Sequence, residues 1–571
     1  MAERVTSVSG LWQLLLLLAV GIRLSQQASI GESASDSFYT AGVVEFRQAN
    51  GYDANANLAD NLAGYLELIN SPNASSVDIM VFPEMTLNGL STASFVPSPD
   101  EEVTPCLVDP SANYFEPFLV ELSCAARSVK RYIVININEK QLCSDTPEDT
   151  RPCASNGLNT FNTNVVFDRN GTVVSRYRKV HLYGEPRNST FVPESVSFET
   201  DFNVTFGHFI CFDILFYAPA HELRLKQGVR NFVFPTMWFS QLPFLTAVQV
   251  QMGWSYANDV NLLAAGASHT EYGSTGTGIF NGRQGTITSV MKLDEGERRI
   301  YVAQVPKFQS SEVKGRRHVL SQIHMAGQKQ RLSQSQEQSS LARSRSGFVM
   351  KRDTLELYES VLLPQESNVT KDVCHEKLCC HFELEWSPVD TGAGNESTFG
   401  YRLAAYDGWR NEQDVDNNYV RNCGIFACSG PNIKDCGLLL KANDLNHNFS
   451  RLLIEAKYPK SQEFLLMPNS VRDNLLPLEP SQFEWSVQEE EKSHLLSVRF
   501  ALVKTEALSN LLTFGIYGNY YDDICTYGTG TPEKDIQCGF KPINDGAAEL
   551  RFFASWLHLL LAVALIVHLR N

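Results

Sequence analysis

Phe206-Gly207-His208-Phe209-Ile210-Cys211-Phe212-Asp213 is an apolar run that ends on an isolated cysteine. Phe206 to Cys211 reads as a buried strand that delivers a thiol at its C-terminal end. The nearest cysteines along the chain are Cys153 and Cys374. The chain has 13 cysteines, so at least one stands outside intramolecular disulfides. Setting Cys211 aside leaves Cys106, Cys124, Cys143 and Cys153 in one group. Cys374, Cys379, Cys380, Cys423, Cys428, Cys436, Cys525 and Cys538 form the other. Both groups are even, which suits two separately stapled domains in an oxidising compartment. The spacings do not form a matched pair of zinc knuckles, so no metal is expected. A spare thiol in such a compartment has an obvious use as a nucleophile.

Outward from this strand, apolar runs alternate with helical patterns from Phe38 to about Pro306. Strands are expected at Phe38 to Phe46, Asp78 to Phe82, Tyr132 to Ile137, Asn231 to Phe234 and Asn261 to Ala265. Helices are expected at Asp53 to Leu68, Tyr114 to Val129, Pro219 to Gln227 and Phe244 to Ala257. Phe161 to Phe167 and Thr172 to Tyr177 form a hairpin around the turn Asp168-Arg169-Asn170-Gly171. Such alternation predicts an α/β layered domain with helices covering the sheets. Residues 308–346 are rich in Ser, Gln, Arg and Lys and read as a polar flexible linker. Beyond it, β-like runs such as Leu495 to Val503 and Leu512 to Tyr517, with dense cysteine, predict a smaller, mostly β domain.

The chain is 571 residues long with a net charge of −16, which argues against a nucleic-acid binder. Arg4 precedes the apolar run Leu11 to Val20, and small or polar residues follow; residues 1–28 read as a secretory signal peptide. The apolar tail from Phe552 follows Asn544, Asp545, Gly546 and a short polar spacer. Residues 544–571 therefore read as a glycosylphosphatidylinositol attachment signal, and the protein as anchored to the outer face of the plasma membrane; plain secretion is the alternative. Asn-x-Ser/Thr sites at Asn73, Asn170, Asn188, Asn203, Asn368, Asn395 and Asn448 are glycosylation candidates.

Two further reactive groups accompany Cys211. Glu84, in Val81-Phe82-Pro83-Glu84, follows a buried strand and is placed to take a thiol proton. Lys179 follows the strand ending Arg176-Tyr177-Arg178, where an ammonium can stabilise an oxyanion. Taken singly, Glu84 reads as a helix cap and Lys179 as a surface charge. Three reactive types at three strand ends favour a site.

Phe82-Pro83-Glu84, Tyr177-Arg178-Lys179 and Cys211-Phe212-Asp213 resemble the three catalytic motifs of the nitrilase superfamily of carbon–nitrogen hydrolases. The resemblance sharpens to its vanin and biotinidase branch in Cys211 to Phe216 with Pro219-Ala220, in Pro243 to Ala247 and in Asn261 to Ala265. Val373-Cys374, Leu378-Cys379-Cys380-His381 and Ala405-Tyr406-Asp407-Gly408 extend it to the second region. It covers about Thr40 to Tyr520; residues 308–346 have no counterpart in the family pattern.

The resemblance implies a nitrilase-type α-β-β-α sandwich over residues 29–307 and a vanin-type base domain over 347–543. It implies that Cys211 attacks a carboxamide, that Glu84 serves as base, and that Lys179 and a backbone N–H near Phe212 hold the oxyanion. Glu185 is implied as an accessory carboxylate and Trp238 as part of the acyl pocket, with a loop carboxylate and a core aromatic as the competing readings. The implied substrate is a small linear amide: pantetheine, cleaved to pantothenate and cysteamine, or alternatively biocytin as in biotinidases. The anchor-like tail favours pantetheine, and no cofactor is implied. A non-enzymatic surface glycoprotein is the reading from another class, and a papain-like protease lacks its Cys-Gly-Ser-Cys-Trp neighbourhood. Oligomeric state is left open by the sequence.

Overall fold

A computed structural model of the protein describes residues 36–308 and 348–521, except 148, 150, 191–193, 349, 390–399, 413–415, 441–444, 446, 491–492 and 504–506. It adds the backbone of two short strands, Asp523–Thr526 and Gln537–Phe540. The expected leader, nearly all of the polar segment and the tail lie outside the described residues, as do Asn395, Asn544, Asp545 and Gly546.

Strands β1 (Phe38–Phe46), β2 (Ile79–Val81), β3 (Tyr132–Leu142), β4 (Leu158–Phe167), β5 (Val173–Arg178) and β13 (Arg298–Pro306) form one sheet, ordered β13-β1-β2-β3-β4-β5. A second sheet runs β12-β11-β10-β8-β7-β6, from β6 (Ser197–Glu199), β7 (Thr205–His208), β8 (Asn231–Thr236), β10 (Asn261–Gly266), β11 (Thr277–Asn281) and β12 (Thr286–Val290). Inner strands such as β1, β2 and β8 are buried on both faces because both faces are covered. On β1, Tyr39, Ala41 and Val43 join Val233, Leu263 and Ile279 of the second sheet in a dry layer between the sheets. The alternate residues Val44 and Phe46 pack outward with Tyr65 and Ile69 of helix α1 (Ala54–Asn70) and with Phe118 and Leu122 of α2 (Pro117–Val129). Asp53 caps α1 by accepting from the backbone N–H groups of Asn55 and Ala56.

The outer face of the second sheet carries Phe232, Phe234, Leu262 and Ala264 against Val248 and Trp254 of α4 (Ala247–Asn258). The short helix α3 (Glu222–Lys226) precedes β8 and is shorter than expected, because a wide turn over Tyr217–His221 takes its first residues. The expected strand at Phe206 to Cys211 also stops early, at His208; Cys211 has φ +46, a left-handed conformation that no strand accommodates.

The second region is a β-sandwich. One sheet is ordered β15-β18-β19-β24-β21, from β15 (Glu359–Leu362), β18 (Gly400–Glu412), β19 (Asp416–Cys428), β21 (Phe464–Arg472) and β24 (Leu511–Tyr520). The other, β16-β17-β20-β23-β22, uses β16 (Asn368–His375), β17 (Leu378–Pro388), β20 (His447–Pro459), β22 (Phe483–Glu489) and β23 (Leu495–Leu502). The Cys380–Cys423 disulfide ties β17 to β19 across the sandwich, and Phe500 stacks on Phe514 at 3.8 Å. The bridges Cys106–Cys124 and Cys143–Cys153 stay in the first region; Cys374–Cys379 and Cys428–Cys436 stay in the second. Cys211 is unpaired and buried.

The sandwich covers α4 on the side away from its sheet. Gln249 donates to Asn469 on β21 at 2.6 Å, and Asn469 donates in turn to the carbonyl of Phe244. Gly424 and Gly515 face each other across β19 and β24. A side chain at either would meet the Phe244 ring, at 2.9 Å and 3.1 Å respectively. The two glycines thus leave a dent for that ring, whose burial contributes about 2 to 3 kcal/mol. The second region also adds β14 (Lys351–Arg352) in parallel to β9 (Gln241–Leu242), so it reaches the loops above the first domain.

Candidate active site

Three reactive side chains and one indole meet where strands of both sheets end. Glu84 lies past β2 and Lys179 directly past β5; Cys211 lies past β7, and Trp238 past β8. Parallel strands whose C-terminal ends share an edge bring residues far apart in sequence to one place.

Lys179 Nζ donates to Glu84 Oε1 at 2.7 Å and also to Glu185 Oε1. Asn162 on β4 bridges the two carboxylates, donating to Glu84 Oε1 at 2.8 Å and to Glu185 Oε2 at 2.9 Å. It is held in turn by Asn136 of β3, which donates to the Asn162 carbonyl at 2.7 Å. The backbone N–H of Met237 donates to Glu84 Oε2 at 2.8 Å. A carboxylate offers about four acceptor positions. Lys179, Asn162 and Met237 occupy three, and the thiol of Cys211 is the neighbour placed to use the fourth.

The electrostatics follow from burial. Burial raises the Cys211 thiol well above its ordinary range, the Glu84 charge raises it further, and Lys179 opposes both. Burial would lower Lys179, but Glu84, Cys211 and Glu185 together carry it up, so the ammonium stays charged. Burial would raise Glu185, yet Lys179 and Asn162 hold it below the ordinary carboxylate range. The resting site is therefore a neutral thiol beside an ammonium wedged between carboxylates, poised for proton transfer at the moment of attack.

The backbone is strained beside two of these groups. Cys211 has φ +46 and Met85, next to Glu84, has φ +60. Met85 is pinned by its N–H to Asn136 at 2.9 Å. The Cys211 turn is pinned by Asp213, whose carboxylate accepts from Tyr177 Oη at 2.7 Å and from the backbone N–H groups of Ile210 and His181. Burial pushes Asp213 up to about 7. Strain of this kind persists only where neighbours over-determine it. His181 stacks on Phe216 at 3.7 Å and bonds the Ala218 carbonyl, away from the thiol.

Cys211 and Trp238 line a pocket with Tyr183, Phe239, Gln241 and Arg410 on its wall. Trp238 is fixed by its Nε1, which donates to the Leu245 carbonyl at 2.9 Å. Arg410 comes from β18 of the second region. Among the described residues no cluster of three or more His, Cys, Asp or Glu is arranged to hold a metal. The arrangement can deprotonate a thiol, hold an oxyanion beside it and seat a small substrate against apolar walls.

Sequence reasoning missed Asn162, Asn136, Tyr183, Gln241 and Arg410. A signal existed for the asparagines: Asn136, Asn138, Asn162 and Asn164 recur at period two in otherwise apolar buried strands. A buried amide needs a polar partner. Of the glycosylation candidates, Asn188 lies nearest the site, bonded to Thr160 of β4. Asn73, Asn170, Asn203 and Asn368 are exposed, whereas Asn188 and Asn448 are half-buried.

The family model described as carbon-nitrogen hydrolase matches residues 41–255, and that of the vanin C-terminal domain matches residues 348–524. Vanin-like protein 1 of Drosophila melanogaster is 55% identical over 563 residues, covering 97% of each chain. A pantetheine hydrolase of Homo sapiens is 31% identical over 348 residues, 60% of this chain and 61% of that one. The biotinidase of Takifugu rubripes is 28% identical over 454 residues, 78% of this chain and 84% of that one.

Proposed function

Because the chain belongs to the vanin family of carbon–nitrogen hydrolases, we propose that it is an extracellular amidase that cleaves pantetheine to pantothenate and cysteamine through a thioester on Cys211. The observation that carries this reading is the buried free thiol of Cys211 set beside Glu84, Lys179 and the pocket that Arg410 walls.

In the proposed cycle Glu84 takes the proton from Cys211 Sγ as the sulfur bonds to the amide carbonyl carbon. The carbonyl electron pair moves onto oxygen, and Lys179 holds that oxyanion. Glu84 returns the proton to the nitrogen, the C–N bond breaks and the amine leaves. Water, deprotonated by Glu84, then attacks the thioester; the C–S bond breaks and the sulfur recovers a proton. Glu185 and Asn162 hold Lys179 and Glu84 in register, and Trp238 forms part of the acyl wall.

The first domain is assigned to residues 29–307 and the second to 347–543, joined by the polar segment 308–346. Closed disulfides in both domains support an oxidising compartment. The leader at 1–28 and the anchor signal at 544–571, with Asn544, Asp545 and Gly546 as attachment candidates, complete a cell-surface reading. The exposed Asn73, Asn170, Asn203 and Asn368 are the better-placed glycosylation sites.

The test assays purified wild type and Cys211→Ala side by side on pantetheine and biocytin. Thiol-dependent release of cysteamine from pantetheine, lost in the variant, is the expected result. Turnover of biocytin alone replaces the substrate, and turnover unchanged in Cys211→Ala removes the mechanism.

A further inference from the structure

Cys211 to Leu215 form one tight turn, and Cys211, Phe212 and Leu215 all line the pocket. A tilt of that turn moves the thiol and the wall beside it together. Its start is held within the first domain, by the Asp213 carboxylate and its three donors. Its end is held by the second. Asn519 of β24 donates from Nδ2 to the Leu215 carbonyl at 2.7 Å. Carbonyls at the end of a helical turn lack partners within it and are satisfied by donors from elsewhere. Asn519 is 2% exposed, in a strand buried along its whole length. It stands opposite Val420 of β19 on one side and Leu465 of β21 on the other, so its backbone is fixed from both sides. A buried amide in an interior strand costs free energy unless it is bonded. Asn519 Oδ1 has no partner among the described residues, which leaves the bond from Nδ2 to Leu215 as the polar link of this side chain. The segment after the turn leans on the same strand end: the Tyr217 and His221 rings lie 6.0 Å and 5.9 Å from that of Tyr521.

Resting on the reading of Cys211 as nucleophile, we propose that Asn519 is a positioning residue for the reaction: through this one amide the second domain fixes the direction from which the thiol attacks. Asp213 and Asn519 clamp opposite ends of a turn whose first residue is strained at φ +46. Such a conformation relaxes when one of its restraints is lost. Releasing the Leu215 carbonyl lets the turn tilt, and a misplacement of about 1 Å costs about 100-fold in rate. Asn519 does not itself line the pocket, so its effect passes through Leu215. The first domain holds every reacting group, yet the nucleophile is aimed by both.

The test uses the full-length protein and Asn519→Leu, which keeps the volume and removes the donor. On the amide that wild type hydrolyses, kcat should fall by about 10- to 100-fold with KM within about threefold. Tyr401→Phe controls for lost stability, because it frees a buried carbonyl at the far end of the same strand, Leu511, from a 2.6 Å bond. It should lower the unfolding midpoint and leave kcat at the wild-type value. Asn519→Thr suits a β-strand, and its hydroxyl is one bond shorter than the amide; it should show the same loss where Asn519→Leu does not fold. Wild-type kcat in a folded Asn519 variant overturns the proposal. So does an equal fall in Tyr401→Phe, or a change confined to KM. Turnover that survives Cys211→Ala instead removes the nucleophile reading, and the proposal with it.

Discussion

Lys179 Nζ stands 2.7 Å from Glu84 Oε1, and the two side chains are 1% and 3% exposed. In so dry a place each charge depends on the other, and deleting one partner leaves the other uncompensated. Lys179→Met should therefore do more than stop catalysis. It should destabilise the fold by about 3 to 5 kcal/mol, read by denaturant unfolding. Adding Glu185→Gln should recover part of that loss, because a surplus carboxylate is removed. A single variant as stable as wild type would show that the pair is not held in the way described.

Asn162 joins the two carboxylates through a neutral amide that donates to Glu84 Oε1 and to Glu185 Oε2. Asn162→Leu keeps the volume and removes both donors. The expected outcome is a fall in kcat of about 10- to 100-fold, the scale of hydrogen bonds to charged groups. KM should change little and the circular dichroism spectrum should be retained. A fall in KM-linked binding with kcat intact would place Asn162 in substrate contact instead.

How much of this was legible depends on the range of the interaction. An apolar run is a local signal, so the buried strands β1, β2, β3 and β5 could be read directly, and with them the positions of Glu84 and Lys179. The overshoot at Cys211 arose because Phe209 and Ile210 are as apolar as a strand, while the turn is imposed by Asp213 bonding back to Ile210 and Tyr177. β13 escaped notice because Arg298 and Arg299 are exposed and dilute its pattern. Arg410 was not legible at all: it reaches the cavity only because Phe244 seats in the Gly424–Gly515 dent and β14 pairs with β9. Such contacts are made between distant segments and leave no local periodicity.

Glu45 gives a pH test of the sandwich interior. It is wholly buried, and Thr275 and Thr277 donate to it. Burial pushes it up to about 7 despite those bonds. The folded state thus keeps a proton that the unfolded chain releases above its ordinary value near 4.5. The stabilisation is complete below that value and is lost as pH rises towards 7, at up to about 1.4 kcal/mol per pH unit. Glu45→Gln should remove this slope. The measurement is the difference in unfolding free energy between variant and wild type at several pH values from 4.5 to 7, which cancels the contribution of Asp213. A difference independent of pH would mean that Glu45 is ionised throughout.

The last prediction separates two roles for Glu84, proton acceptor or activator of a standing thiolate. Burial and the Glu84 charge both hold the Cys211 thiol up, and Lys179 alone among the nearby charges pulls it down. Replacing Glu84 by Gln removes an opposing charge and leaves the ammonium. The thiolate fraction should then rise at pH 7, and alkylation by neutral iodoacetamide should become faster, by roughly tenfold for each unit the thiol falls. Amide hydrolysis should be lost in the same protein, because nothing remains to take the proton during attack or to return it to the amine. Lys179→Met, if it folds, should shift alkylation the opposite way. Slower alkylation of folded Glu84→Gln would mean that the carboxylate sustains a resting thiolate, and the proton inventory of the site would have to be redrawn.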